Sequence, residues 1–162
     1  MKEKTLLKLQ RQFLALPLHH IDTSVIIEKP TTINGRYCVS YLNIVGYKYR
    51  GKFSIPMLGE CLLNILSISD YSKRVDLLEV IYSLMKNKRI ELSGVDDIEK
   101  IAERIKELDS RIETTDRLIL ASAIQDGAHT FVTLDGELVH NEHIEREFGI
   151  EIKHPKEKLT RS

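Results

Sequence analysis

Residues 114–138 read TTDRLILASAIQDGAHTFVTLDGEL, and the order of signals in this stretch decides the fold class. Thr114 and Thr115 are residues that start helices, and Asp116 follows in the first turn, where a carboxylate suits the positive end of the helix dipole. From Leu118 to Ile124 almost every residue is apolar, so the helix is expected to be covered on most sides. Ala121 and Ala123 are small enough to let its backbone approach a sheet, and Gly127 stops it. Thr130 to Leu134 reads as a short strand, closed by the turn signal Asp135-Gly136. One acid therefore opens a helix and another closes the next strand. In an open α/β sheet, helix starts and strand ends share one edge, the edge where ligands bind.

Outward from this stretch, short strand-like runs alternate with helical ones. Lys4 to Leu16 is expected to be a helix ended by Pro17, with Leu6, Leu9 (or Leu7), Phe13 and Leu16 on its apolar side. Two readings of it stand: a helix packed on the outside of the domain, or an arm for a partner. Leu18 to Ile21 is a first strand, carrying His19 and His20, and Phe53 to Ile55 a second. Between them, Arg36 to Tyr49 has helical spacing. Pro56 starts a helix over Met57 to Leu66. Asp70 to Arg89 and Asp96 to Leu108 are amphipathic helices, the second with a clean stripe at Ile98, Ile101, Ile105 and Leu108. Ile90 to Leu92 is a third strand between them. Glu137 to Phe148 reads as a polar helix and Ile150 to Ile152 as a last strand. About five strands alternating with helices predict an α/β protein, a parallel sheet covered on both faces. The organisation expected is an N-terminal helical arm (1–17), one α/β domain (18–155) and a charged, mobile tail (156–162).

Composition narrows the class. A chain of 162 residues suffices for one core. Lys+Arg and Asp+Glu both number 24, so net charge gives no sign of a simple polyanion binder but leaves room for a local basic surface. Cys38 and Cys61 form no C-x-x-C pair and read as reduced thiols. Neither a membrane-spanning run nor a secretory pattern is found, so a cytoplasmic protein with no membrane partner is expected. Dinucleotide and P-loop fingerprints and a G-x-S-x-G elbow are missing. His140, Glu142 and His143 lack the H-E-x-x-H spacing and read as a solvated helix face.

Four acids share one kind of position. Asp22 follows the first strand, Glu60 lies early in the helix after the second, Asp116 opens a helix, and Asp135 ends a strand. Each has a local explanation; Asp22, for example, also reads as a cap for the next helix. Gathered on one sheet edge they would repel unless protons or cations neutralise them. Hard divalent cations prefer all-oxygen ligands, and such a site can polarise a phosphodiester and activate water. Lys48, Arg50 and Lys52, interleaved with Tyr47 and Tyr49, read either as a stretch that contacts single-stranded nucleic acid or as the solvated end of a helix.

From Leu18 to His154 the sequence resembles the PIN domain ribonucleases. The resemblance rests on IDTSV with Asp22, on Glu60 after the second strand, on TTDRLILASA with Asp116, and on FVTLDGEL with Asp135. It implies a three-layer α/β/α sandwich in which these four acids hold Mg²⁺ or Mn²⁺, and in which Ser24 and Thr133 support them. Ser24 stands where many relatives carry Asn, and both occur. The arm before Pro17 is longer than in a typical small toxin. Many relatives are VapC-type toxins, usually dimeric and paired with an antitoxin; others are stand-alone RNA-processing nucleases. The expected function is metal-dependent hydrolysis of RNA. Alternatives are a catalytically weak PIN-like module binding RNA or a protein partner, and a phosphatase with Asp22 as nucleophile, which lacks an obvious supporting Lys.

Overall fold

Five parallel strands form one sheet in the order β3-β2-β1-β4-β5. In this computed structural model, which describes residues 2–159, they are β1 (Leu18–Ile21), β2 (Arg50–Phe53), β3 (Glu91–Leu92), β4 (Thr130–Val132) and β5 (Glu151–Lys153). The helices are α1 (Lys2–Leu14), α2 (Thr23–Ile27), α3 (Ile33–Ile44), α4 (Ile55–Ser67), α5 (Tyr71–Asn87), α6 (Ile98–Leu108), α7 (Thr114–Gln125) and α8 (Glu142–Phe148). From β1 the chain builds the sheet one way through β2 to β3, and later the other way through β4 to β5. The reversal falls between the neighbours β1 and β4. Such a switch point opens a crevice beyond the carboxyl ends of the strands.

Alternation along β1 shows that helices cover both faces. His19 reaches Tyr41 of α3 (Nδ1 to the hydroxyl, 2.9 Å) and stacks on Tyr49 at 3.9 Å. His20 reaches the other way, to Asp126 at the end of α7 (2.7 Å). So α3 and α7 lie on opposite faces, giving the α/β/α sandwich. Both histidines are buried, and burial lowers their pKa values, that of His19 to about 3. The ion pair beside His20 is therefore Lys52 with Asp126 (3.3 Å), and the neutral imidazole hydrogen-bonds to it. Their role is structural.

α7 is the central helix, as its apolar run requires. Ile119 to Ala123 are all buried, and the one hydroxyl among them, Ser122, donates back to the Leu118 carbonyl (2.9 Å). Gly127, at φ 64°, ends the helix, with Gly127 N–H on Ile124 O and Ala128 N–H on Ala123 O. The α6 stripe buries Ile98, Ala102 and Ile105 and packs α6 on α7. Phe53, Phe131, Val132 and Ile152 supply the sheet's share of the core.

Several boundaries differ from those expected. α3 begins at Ile33 because the Thr32 hydroxyl caps it, accepting from Gly35 N–H (2.8 Å). It ends at Ile44 because Val45 turns extended and Gly46 takes φ 86°, so Lys48 lies in a turn and Arg50 and Lys52 lie in β2. Residues 137–140 are turn rather than helix: Leu138 and Val139 N–H groups both bond to the Asp135 carbonyl, and α8 waits for its Asn141 cap. Pro155–Lys158 is a 3-10 turn tied to the fold rather than tail. Lys158 Nζ lies 2.6 Å from Glu151, and Tyr49 donates to the Lys158 carbonyl. Thr160 to Ser162, the rest of the expected tail, lie outside the described residues. α1 is largely solvated, with Leu6 66% and Leu9 56% exposed, while Phe13 is half-buried under the Arg89 guanidinium. No helix among the described residues is long and apolar enough to cross a membrane.

Candidate active site

The carboxyl ends of β1 and β4 place two acids beside each other's supports. Asp22 follows β1 and is buried at the first position before α2, but its side chain does not cap that helix. Its Oδ2 instead accepts from Ser24 Oγ (2.6 Å) and Thr133 Oγ1 (2.8 Å). Each hydroxyl is oriented in turn by the turn after β4: Leu134 N–H donates to Ser24 Oγ and Asp135 N–H to Thr133 Oγ1, both at 3.0 Å. The segment that carries Asp135 thus also aims the groups that hold Asp22. Asp135 itself closes a local turn, its Oδ1 accepting from Glu137 N–H (2.8 Å).

Replacing Thr133 with Val removes the hydroxyl and keeps the shape. It leaves Asp22 short of a donor and the Asp135 amide short of an acceptor. The expected cost is about 1–3 kcal/mol, read as a fall of the thermal midpoint by about 2–10 °C for a chain of this size. An unchanged melt would show that Thr133 does not support Asp22.

α4 and α7 bring the other two acids. Ser54 caps α4, accepting from Met57 N–H (3.1 Å), and Glu60 sits in the second turn. Asp116 sits in the first turn of α7. Asp22, Glu60, Asp116 and Asp135 line one open cleft of about 420 Å³, together with Ser24. Three further polar residues line it: Thr23, Glu28, which accepts from Thr32 Oγ1 (2.6 Å), and Asn64, one turn beyond Glu60. A single acid after a helix and a single amide within one carry no distinguishing spacing, so neither stands out in the sequence. Among the described residues, no Lys or Arg lines the cleft.

The electrostatics follow from this crowding. Burial raises the Asp22 pKa, Ser24 and Thr133 oppose the rise, and Glu60 adds to it. Asp116 is pushed up to about 7, first by burial and then by Asp22, Glu60, Asp135 and Glu113. Burial, with Glu60 and then Asp22, also pushes the buried Cys61 thiol up to about 11.

The oxygen-only donors and their mutual repulsion fit a hard divalent cation. As the side chains stand, no group of three or more His, Cys, Asp or Glu among the described residues converges on one metal position. Mg²⁺ commonly takes one or two carboxylates and keeps its waters, which an open cleft of this size accommodates.

The expected basic stretch is elsewhere. Arg50 begins β2, at the opposite edge of the sheet from the acids, and Lys48 precedes it, exposed. Lys52 is paired with Asp126. The histidines near α8 are not gathered either: His140 pairs with Glu157 (2.9 Å), and His143 is exposed.

No model of a known protein family matches the sequence, and no curated protein matches it significantly. Solved structures do match. FitAcB from Neisseria gonorrhoeae superimposes with a TM-score of 0.61 at 20% identity, over 85% of this chain and 97% of that one. VapBC2 from Rickettsia felis, bound to a DNA fragment from their promoter, gives 0.62 at 15% identity, over 85% and 98%. DNA-bound VapBC from Salmonella typhimurium gives 0.58 at 17%, over 86% and 99%. The fold is PIN-like, a three-layer α/β/α sandwich shared with these structures. Nearly the whole of each matched chain is spanned, so the PIN-like sheet and its helices are present together. At these identities the likeness speaks for the fold.

Proposed function

We propose that this protein is a metal-dependent endoribonuclease of the VapC-like kind, hydrolysing RNA phosphodiester bonds with Mg²⁺ or Mn²⁺. The observation that carries the reading is one cleft lined by Asp22, Glu60, Asp116 and Asp135 from four separate segments, with no basic side chain among the described residues that line it. A divalent cation bound there would polarise a phosphodiester and lower the pKa of a bound water. Asp22 would be its most fixed ligand, held by Ser24 and Thr133. Glu60, Asp116 and Asp135 would complete the acidic shell. Before a cation binds, Asp116 holds a proton up to about pH 7 and so relieves the repulsion.

The matched structures are complexes, two of them with DNA. By analogy of fold we propose an antitoxin protein as partner and a homodimer as the working assembly. The test is cleavage of a fluorescent RNA with Mn²⁺, with EDTA as control. Cleavage that EDTA abolishes is expected. RNA binding without cleavage under Mn²⁺ would return the chain to the reading of a catalytically weak binding module.

A further inference from the structure

The sheet has a second cleft on its other edge. Three segments that lead into strands meet there: Leu16 before β1, Gly46 and Tyr47 before β2, and Lys88 and Arg89 before β3. Because all strands are parallel, these segments lie at the amino ends, across the sheet from the four acids. Phe13 of α1 forms the outer wall, and the groove encloses about 540 Å³. Among the described residues, Lys88 and Arg89 are the charged ones that line it, and no acid does. The two clefts are thus of opposite sign.

The groove has a built geometry. Gly46 lies against the Lys88 backbone so closely that a Cβ would meet the Lys88 carbonyl oxygen at 2.9 Å, and its φ is 86°. That approach brings the turn before β2 onto the end of α5. Arg89 has φ 53°, a left-handed conformation rare for a long side chain, and its guanidinium lies 5.4 Å over the Phe13 ring. Lys88 Nζ lies 4.9 Å over the Tyr47 ring and donates to the Asn43 carbonyl (2.8 Å). Tyr47 is 76% exposed. Cations paired with aromatic rings, that of Tyr47 largely exposed, in a groove that no described acid lines, match a strand of phosphates and unpaired bases. An acidic peptide would use the cations but has no need of the rings.

We propose that this groove, walled by Phe13 and Tyr47 and charged by Lys88 and Arg89, binds single-stranded RNA at a surface remote from the acidic cleft. The choice of RNA rests on the proposed nuclease reading; the cationic and aromatic character of the groove does not. The surface would hold a substrate strand while the acids act on another part of it, or retain RNA without cleaving it.

The experiment is fluorescence anisotropy of a labelled uridine homopolymer with the full chain in EDTA, at several salt concentrations. Tyr47→Ala is expected to weaken binding about tenfold and Tyr47→Phe to leave it near wild type, since stacking needs the ring and not the hydroxyl. Tyr47 is exposed, so both variants fold. Lys88→Gln with Arg89→Gln is expected to flatten the salt slope by about 1.4, two single-strand phosphate contacts. Unchanged affinity and slope in all variants would overturn the proposal. So would binding of poly-glutamate in preference to the RNA, which would assign the groove to an acidic polypeptide. A protein that binds the RNA through these residues yet never cleaves overturns the nuclease reading alone. One that cleaves, with groove variants binding like wild type, overturns this proposal alone.

Discussion

Asp116→Asn is expected to lower RNA cleavage by roughly 10²–10³-fold or more, the scale seen when one preorganised electrostatic group is removed from an active site. The substitution is nearly isosteric and sits in the first turn of α7, at a cleft that is open to solvent. The fold should be kept, so a loss of rate would report chemistry rather than unfolding. The measurement is the initial rate of fluorescent RNA cleavage at saturating Mn²⁺, with circular dichroism confirming structure. A purified variant with wild-type rate would remove Asp116 from the active site. The Asp22→Asn variant is a weaker probe, because Asp22 also accepts from Ser24 and Thr133 and its loss would disturb both hydroxyls.

The same Asp116→Asn variant is expected to be more stable than wild type without metal, and the gain should depend on pH. The pKa of Asp116 is raised in the folded state from an ordinary 3.8 to about 7. A folded acid with a raised pKa binds its proton more tightly than the unfolded chain does. Its ionisation therefore costs stability. That cost is absent below about pH 4, grows between about pH 4 and 7, and is complete above pH 7. Burial is only partial, so solvent screening reduces the cost to roughly 1–2 kcal/mol. In EDTA at pH 8 the variant should melt about 2–8 °C above wild type, with the difference vanishing near pH 4. Asp22, whose pKa is also raised, leaves a residual slope of the same sign in the variant. Saturating Mn²⁺ should stabilise wild type by linkage and the variant less. Equal melts of the two proteins in EDTA across this range, with equal gains from Mn²⁺, would show that Asp116 feels no crowding.

Much of the cleft was legible in residue order because the chemistry sits at turns. Asp22 and Asp135 follow strands, and Asp116 opens a helix, so strand and helix ends read from periodicity place all three on one edge. Glu60 was legible for a different reason: α4 follows β2 directly, and a residue in its second turn stays near that edge. Glu28 and Asn64 join the cleft only through the packing of α2 and α4, which no local pattern encodes.

The stretch from Tyr47 to Lys52 shows the limit. Helical spacing continues through Val45, yet the helix stops at Ile44, because pairing of β2 beside β1 demands that the chain turn at Gly46. That turn sends Lys52 to Asp126 on one face and delivers Tyr47 to Lys88, forty-one positions later in the chain. The sequence by itself determined the alternation of strands and helices, three acids at strand and helix ends and Glu60 early in α4, since hydrophobic period and turn chemistry are local. The tertiary structure decided which charges meet. The strand order β3-β2-β1-β4-β5 put the acids together at the switch point and the bases across the sheet, because pairing of strands distant in sequence depends on the packing of the whole core.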